Sequence, residues 1–200
     1  FFDFSGTLAD CGETWWRLEL TTTVRAPLAL LHERGLVCLR DGDLERADEL
    51  YADMHRRARE TGIEISAHEA VAQAARSLGL PLAADAANAV VDELFGACLP
   101  DVRPLDGAAQ TLAALTARSL TLAVISNARH GPFVRWALEK IDLARYFSAI
   151  VVSADVRLRK PRPEIFWNTL RALSIAPGDA AYVGDYHPYD MVGAQHAGMT

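Results

Sequence analysis

The chain has 200 residues, half of them hydrophobic, and a formal net charge of −6. This length supports one sizeable core, or a core with a small additional lobe. The negative charge argues against a nucleic-acid partner, because such proteins need a basic face to neutralise phosphates, and no run of about 18 apolar residues predicts a membrane span.

The first predicted element is the end of a buried strand at residues 1–4, which Gly6 interrupts. A section rich in Ala, Glu, Arg and Leu follows, from about residue 9 to residue 99, and it predicts helices only. Its helical segments have apolar residues three and four positions apart, and they are 15–31, 44–60, 67–78 and 83–95. Ser66 and Glu69 fit a capping box at the start of the third segment.

After Pro100, short apolar segments alternate with helical ones. The predicted strands are 120–125, 149–152 and 180–183, and the predicted helices are 107–117, 133–141, 163–173 and one that begins at residue 190. This alternation is typical of a parallel, doubly wound α/β sheet. The first strand must join the same sheet. We therefore predict a Rossmann-like core of residues 1–8 and 100–200, with residues 9–99 inserted as a helical lobe.

Polar side chains follow the predicted strands at the positions where an open α/β sheet binds its ligands. In chain order they are Asp3, Ser5, Ser126, Asn127, Lys160, Asp185 and Asp190. Together they offer a nucleophile, donors for anionic oxygens and oxygen ligands for Mg²⁺, a combination that suits phosphoryl chemistry.

Four segments resemble the motifs of the haloacid dehalogenase superfamily and occur in that family's order. They are FDFSGTL at 2–8, VISN at 124–127, KPRPEIF at 160–166 and GDYHPYD at 184–190. Any one of these motifs alone is a weak signal, but four in order, each at a strand end or a helix start, are a strong one. The resemblance implies the family's α/β fold, and it identifies the helical insertion as similar to the family's first type of cap domain, which closes over the site and selects substrates.

The resemblance also implies a role for the residues that bind and attack the substrate. Asp3 would attack and form an aspartyl intermediate. Ser126 would bind a phosphoryl oxygen, and Lys160 would neutralise charge on the nucleophile and on the phosphoryl group. Asn127 would either contact the phosphoryl group or cap the segment that follows it.

A Mg²⁺ ion is the cofactor that the resemblance implies. Its protein ligands would be Asp3, Asp185 and the backbone carbonyl of Ser5, and Asp190 would support this site or orient Lys160. Thr7 is expected to cap the tight turn after the first strand.

Ser5 is a departure from the family, whose phosphatases usually carry Asp two residues after the nucleophile. That Asp protonates the leaving group and later activates water, and general acid–base catalysis is worth about 10²–10⁴-fold in rate. One interpretation is a phosphatase in which another group, such as His187, carries the proton, or in which an acyl-phosphate leaving group needs none. An imidazole has an ordinary pKa of about 6.5, although an exposed loop histidine without a catalytic role fits position 187 as well.

Two other interpretations remain open. Carbon–halogen hydrolases of this superfamily also lack the second Asp, because halide leaves without a proton, but they need no metal. The pattern of Asp185 and Asp190 favours a metal and hence a phosphatase. The phosphonate-cleaving branch needs a cap lysine, and both lysines, Lys140 and Lys160, lie in the core. The last alternative is a binding protein that has lost catalysis.

Three arginines flank Lys160, and we expect at least two of Arg157, Arg159 and Arg162 to be solvated or paired with surface carboxylates. Trp15 and Trp16 follow the first motif. We expect one of them to line the substrate pocket and the other to belong to the core.

The three cysteines, Cys11, Cys38 and Cys98, are far apart and predict no disulfide framework, which is typical of a cytoplasmic protein. No signal peptide is evident. The first residues lie inside an apolar run and the last stand where another strand is expected, so we expect further residues at both ends. Partners are expected to be limited to a small, phosphorylated substrate, without nucleic acid or membrane, and the sequence leaves the oligomeric state open.

Overall fold

A short parallel sheet lies at the centre of the computed structural model, which describes residues 1–200. Strand β3 (Ala123–Ser126) pairs in parallel with β4 (Ala149–Val152). On the other side of β3, Phe2 forms parallel bridges with Val124 and with Val183. The sheet therefore runs from Val183 through Phe2 and β3 to β4, and the predicted α/β class with a parallel sheet is confirmed.

Two of the predicted strands are shorter than expected, since Phe2 and Val183 each pair only through single bridges. The reason at the amino terminus is local, because the carbonyl oxygen of Phe4 already accepts hydrogen bonds from the amides of Thr7, Leu8 and Ala9. The chain turns there. The first strand therefore ends at Asp3, and no further hydrogen bonds to the sheet follow it.

The insertion is helical, as predicted. Its elements are α1 (Gly12–Arg17), a π-helical turn (Leu18–Thr22), α2 (Arg25–Glu33), α3 (Asp43–Thr61), α4 (Ala67–Ser77) and α5 (Ala84–Gly96). The predicted capping box is present at α4, where Ser66 Oγ accepts from the amide of Glu69 and the Glu69 carboxylate accepts from the amide of Ser66.

The predicted helix at 15–31 is interrupted, which the sequence analysis did not foresee. Threonine hydroxyls bond to main-chain carbonyls at this point: Thr21 to Arg17, at 2.8 Å, and Thr23 to Leu18, at 2.7 Å. Side chains that bond to nearby carbonyls compete with regular helical hydrogen bonds. The widened turn between α1 and α2 follows from this competition.

The remaining helices surround the sheet. They are α6 (Ala108–Ala117), α7 (Gly131–Lys140), α8 (Ser153–Val156), α9 (Pro163–Ala172) and α10 (Asp190–His196). Three of them, α6, α7 and α9, agree with the predicted segments to within two residues at each end, and α10 begins at the predicted residue. None of the helices of the molecule is long and apolar enough to cross a membrane.

The insertion leaves and rejoins the rest of the chain at one small antiparallel ladder. Strand β1 (Ala9–Asp10) pairs with β2 (Arg103–Pro104). The division into residues 1–8 and 100–200 as core and 9–99 as cap remains a prediction, and this ladder joins the two segments at its boundary.

Buried apolar residues form two clusters, on opposite faces of the sheet. The larger one includes residues of the insertion as well as of α7: the ring of Trp15 stacks on that of Phe133 with centroids 5.5 Å apart, and Phe95 lies 6.1 Å from Phe133. The smaller cluster contains Ile125 and Phe166. The insertion thus packs directly on α7, and this contact sets its position over the ends of the strands.

Candidate active site

The turn after the first strand brings Asp3 close to Asp185. Gly6 has φ of +84°, in the left-handed region that favours glycine. A Cβ on Gly6 would lie 2.5 Å from Asp185 Oδ2. Glycine is therefore required both for the turn and for the approach of the carboxylate, while Thr7 donates to Asp185 Oδ1 at 3.2 Å instead of capping the turn as expected.

Lys160 is the centre of the site and is buried. Its ammonium nitrogen lies 2.8 Å from Asp3 Oδ1, 2.6 Å from Asp190 Oδ1 and 2.8 Å from the hydroxyl of Tyr182. An ammonium group has three N–H bonds, so each of them has a partner. Lys160 thus lies against the nucleophile expected from the sequence, with its charge shared between two carboxylates.

Three neighbours hold Lys160 in position. Asn127 accepts from the Lys160 amide at 2.8 Å and donates to the Lys160 carbonyl at 2.9 Å. Asp190 uses its second oxygen to accept from the amide of Tyr186. Tyr182 donates its hydroxyl to the carbonyl of Ile125, and burial raises its pKa well above the ordinary value, so the phenol keeps its proton.

Asp3 carries opposing influences on its charge. Burial raises the pKa of its carboxyl, and the neighbouring Lys160 ammonium lowers it. A divalent cation beside the carboxylate would act in the same direction as Lys160. The ionised form that a nucleophile needs therefore depends on the cations around Asp3.

The residues present fit a Mg²⁺ ion. Carboxylate oxygens of Asp3, Asp185 and Asp190 lie within 4.8 Å of one another, and hard oxygen ligands are those that Mg²⁺ prefers. Both oxygens of Asp190 already accept hydrogen bonds, so Asp3 and Asp185 are the better ligands. No backbone amide of the protein bonds to the carbonyl oxygen of Ser5, which leaves it free for a cation.

The Ser5 side chain lines the same cavity but makes no hydrogen bond within the protein. Its hydroxyl is buried and has no hydrogen-bond partner. Ser126, at the end of β3, also lines the cavity. The expected site residues Asp3, Ser5, Ser126, Lys160 and Asp185 are therefore brought together around one space, of about 370 Å³.

The insertion forms the opposite wall of this cavity. Trp15, Trp16, Glu19, Leu20, His55 and Arg59 line it. The sequence analysis expected one tryptophan in the pocket and one in the core. Both line the pocket, and Trp15 is in addition buried against Phe133.

The three arginines around Lys160 behave differently from one another. Arg157 pairs with Glu69 and Arg162 with Glu164, as expected for surface residues. Arg159 is buried, lines the cavity and lies 3.4 Å from Glu64. His187 is exposed and does not line the cavity, so its suggested role as a proton carrier remains a prediction.

Sequence reasoning missed a buried ion pair in the cavity wall. Arg129 Nη1 lies 3.1 Å from Glu19 Oε1 and donates to the Glu19 carbonyl, and the Arg129 amide donates to Glu19 Oε1 at 2.7 Å. Burial raises the pKa of Glu19 to about 7, with Arg129 acting in the opposite direction. The only signal available was an arginine two residues after the VISN motif, and the position of Glu19 across the cavity could not be deduced from spacing.

A second group of metal-capable residues lies where α4, α5 and α7 meet. Nε2 of both His68 and His130 lies 2.8 Å from Asp92 Oδ1. His130 Nδ1 accepts from the amide of Phe133, so the neutral ring carries its proton on Nε2 and has no lone pair there for a metal. This group is a structural network at the start of α7.

The fold and this site are those of an α/β protein with a carboxylate at the end of the first strand, beside a buried lysine and further carboxylates. Residues 47–200 match the haloacid dehalogenase-like hydrolase family, and the chain belongs to this family. The match includes the three motifs at 124–127, 160–166 and 184–190.

Relatives and solved structures agree with this assignment. Phosphoglycolate phosphatase of Escherichia coli is 39% identical over 77 residues, which are 38% of this chain and 30% of that protein. The structure of a 2-haloacid dehalogenase from Pseudomonas syringae is 26% identical, with a TM-score of 0.66 over 99% of this chain and 82% of that one. The structure of a phosphatase of the same superfamily from Thermococcus onnurineus is 23% identical, covers 100% of this chain and 82% of that one, and has a TM-score of 0.63.

Proposed function

We propose that this chain is a cytoplasmic, Mg²⁺-dependent phosphatase that hydrolyses a small phosphorylated metabolite through an aspartyl intermediate on Asp3. The observation that carries this proposal is the contact of Asp3 with Lys160, at 2.8 Å, beside Asp185 in one cavity. The 77-residue similarity to phosphoglycolate phosphatase supports a phosphatase, although it spans 30% of that protein.

In the first step, an oxygen of the Asp3 carboxylate forms a bond to phosphorus while the bond from phosphorus to the leaving oxygen breaks. The Ser126 hydroxyl is available to bind a phosphoryl oxygen. Lys160 holds positive charge at the nucleophile, and Asn127 fixes the lysine backbone. In the second step, the oxygen of a water molecule forms a bond to phosphorus while the bond from phosphorus to the Asp3 oxygen breaks. Inorganic phosphate leaves with the protons of that water, and the Asp3 carboxylate is free again.

A Mg²⁺ ion bound by Asp3, Asp185 and the Ser5 carbonyl would neutralise charge on the phosphoryl group. Asp190 orients Lys160, because the two side chains are 2.6 Å apart and buried. The chain supplies no carboxylate at position 5 for proton transfer. Substrates whose leaving group needs no proton, such as acyl phosphates, therefore suit this site best.

His187 stays the sequence-based candidate for a proton carrier. If it transfers the proton, His187→Ala lowers turnover and removes a limb of the pH–rate profile. The measurement is kcat from pH 5 to pH 9, with His196→Ala, another exposed histidine, as the control. Unchanged turnover and an unchanged profile would exclude His187 from this role.

A second candidate function is carbon–halogen hydrolysis. Two observations favour it: Ser5 in place of an acid, and the 26% identity to a 2-haloacid dehalogenase across 99% of the chain. Halide release from 2-chloropropionate without added metal would support it, whereas the carboxylates of Asp3 and Asp185, arranged within reach of one cation, favour the phosphatase. The catalytically inactive binding protein is the outcome left if neither product is released.

A further inference from the structure

The buried polar atoms without a partner are concentrated in one place. Six buried side-chain nitrogen or oxygen atoms of the molecule have no hydrogen-bond partner, and they belong to Ser5, Trp15, Glu19, Arg129 and Arg159. All five residues line the cavity that contains Asp3. An unpaired buried polar group is costly, so this concentration indicates that a ligand completes these bonds.

Most of the unpartnered atoms are hydrogen-bond donors. They are Nε1 of Trp15, Nε and Nη2 of Arg129 and Nε of Arg159. These four nitrogens can donate hydrogen bonds but cannot accept them. The Ser5 hydroxyl can donate as well. A ligand that satisfies four N–H donors must present several acceptor oxygens on the same part of its structure.

Arg129 presents these donors in a geometry that selects a particular group. Its Nη1 is occupied by the carbonyl and carboxylate of Glu19. The free Nε and Nη2 form one edge of the planar guanidinium, where two N–H bonds run in parallel and match the two oxygens of a carboxylate or two oxygens of a phosphate. The ring of Tyr51, 5.5 Å from the guanidinium carbon, fixes the plane of this edge.

The cluster around Lys160 and Asp3 is complete without Arg129. The Lys160 ammonium has its three partners, and the carboxylates of the expected cation site are Asp3, Asp185 and Asp190. Four cationic side chains line the cavity: Arg59, Arg129, Arg159 and Lys160. The reacting phosphoryl group belongs at Lys160, beside Asp3. Arg129 has one edge of its guanidinium open, which leaves this edge for another part of the substrate.

We propose that the substrate carries a second anionic group, a carboxylate or a second phosphate, and that the Nε–Nη2 edge of Arg129 binds it, with Nε of Arg159 and Nε1 of Trp15 as neighbouring donors. This inference rests on the proposed phosphatase function and specifies its substrate class. Glu19 offers an acceptor oxygen in the same wall. Its pKa of about 7 allows it to hold a proton and to donate in its turn.

The test is a binding measurement that does not depend on turnover. Calorimetry with the Asp3→Asn protein in Mg²⁺ buffer compares 3-phosphoglycerate with glycerol 3-phosphate, which has a neutral hydroxymethyl group in place of the carboxylate. The bisphosphate of 1,3-propanediol tests a second phosphate. We expect the two ligands with a second anionic group to bind about tenfold to hundredfold more tightly than glycerol 3-phosphate, the range for one charge-assisted bidentate contact.

Two variants in the same Asp3→Asn background locate the effect. Arg129→Lys keeps a cation beside Glu19 but lacks the two parallel N–H bonds, so it should lose most of the preference. Arg157→Lys, at an exposed arginine outside the cavity, should keep the preference. Thermal unfolding checks that both variants are folded.

Equal binding of the three ligands, no binding of any of them, or a preference that survives Arg129→Lys would overturn the inference. Phosphate release from unsubstituted protein is measured in parallel. A preference that depends on Arg129, without phosphate release from any monoester, leaves the anion site standing and removes the phosphatase. Phosphate release without this preference supports the phosphatase and removes the anion site.

Discussion

Ser5 is the residue on which the chemistry of the site depends most. Its hydroxyl is buried in the cavity without a hydrogen-bond partner. It stands two residues after Asp3, where phosphatases of the family usually carry an aspartate. An aspartate at this position would lie in the turn that Gly6 and Ala9 close with a backbone hydrogen bond at 2.9 Å. The rest of the cluster, with Lys160 against Asp3, does not depend on the side chain of Ser5.

We expect Ser5→Asp to raise kcat for an alkyl phosphate monoester toward 10²-fold, because the new carboxyl can protonate the leaving oxygen and then activate water. Acetyl phosphate, whose leaving group needs no proton, can gain only from faster attack of water on the aspartyl intermediate, so its hydrolysis should rise less. The two rates, measured on the same preparations, check this. Ser5→Asn, of similar size and without acid–base chemistry, is the matched control.

An equal rise for both substrates would mean that the new carboxyl acts on the attack of water, the step that they share. A rise in Ser5→Asn would mean that the substitution acts through the fold of the turn. No rise for either substrate would mean that proton transfer does not limit this enzyme.

Several residues could be assigned from the sequence, and others could not. Asp3, Lys160 and Asp185 were predicted because each follows a strand or precedes a helix in a recognisable motif. Asn127 was left between two roles, and its two bonds to the backbone of Lys160 define it as a positioning residue. Arg129 and Glu19 were missed because their pairing spans 110 positions and depends on how the insertion packs.

At the scale of elements, α7 links the core to the insertion. His130 caps its first turn by accepting from the amide of Phe133 at 3.0 Å, and its ring stacks on Phe95 of α5 with centroids 4.4 Å apart. The sequence predicted the body of α7 from the spacing of its apolar residues. It did not predict the cap, because histidine is not among the residues preferred at helix starts.

His130 contributes to the pH dependence of stability. Burial lowers its pKa to about 4, so between pH 6.5 and pH 4 the unfolded chain binds a proton that the folded chain does not. The free energy of unfolding therefore falls as the pH falls through this window, by on the order of 1–3 kcal/mol from this group. Urea unfolding at pH 7, 5.5 and 4.5 measures the effect.

His130→Asn keeps a side chain that can cap α7 and removes the titrating group, so the fall between pH 7 and pH 4.5 should be smaller in this variant than in the parent. His196→Asn, at an exposed histidine of α10, should leave the fall unchanged. The same slope in His130→Asn and the parent would contradict the assignment.

The interruption between α1 and α2 marks a limit of periodicity as a guide. Apolar spacing predicted one irregular helix at 15–31, and the hydroxyls of Thr21 and Thr23 break it by bonding to carbonyls of the previous turn. This break matters for the site, because the π-helical turn carries Glu19 and Leu20, both of which line the cavity.

At the scale of the whole molecule, the insertion and the core enclose the site between them. Trp15, Glu19 and His55 come from the insertion, whereas Asp3 and Ser126 stand at strand ends and Lys160 lies in the loop before α9. The order of strands and helices was accessible from the sequence because the local pattern alternates. The relative position of the two parts was not, since it depends on contacts such as that between Trp15 and Phe133.

The size of the cavity also bears on how the chain could select among substrates. Its volume is about 370 Å³, within the usual range for small-molecule sites. A reacting group at Asp3 and an anionic group at Arg129 would have to fit within this one space. The phosphatase account therefore predicts small substrates, and larger phosphoesters such as phosphoproteins should not be hydrolysed.

The central claim is metal-dependent phosphoryl transfer to Asp3. Its most direct test is phosphate release from a panel of small phosphate monoesters and acyl phosphates, with Mg²⁺ and with a chelator, by the unsubstituted protein and by Asp3→Asn. We predict release that requires Mg²⁺ and is reduced at least about 10³-fold in Asp3→Asn, because that substitution removes the nucleophile. Release that persists in Asp3→Asn, or no release from any compound although Mg²⁺ binds, would contradict the claim.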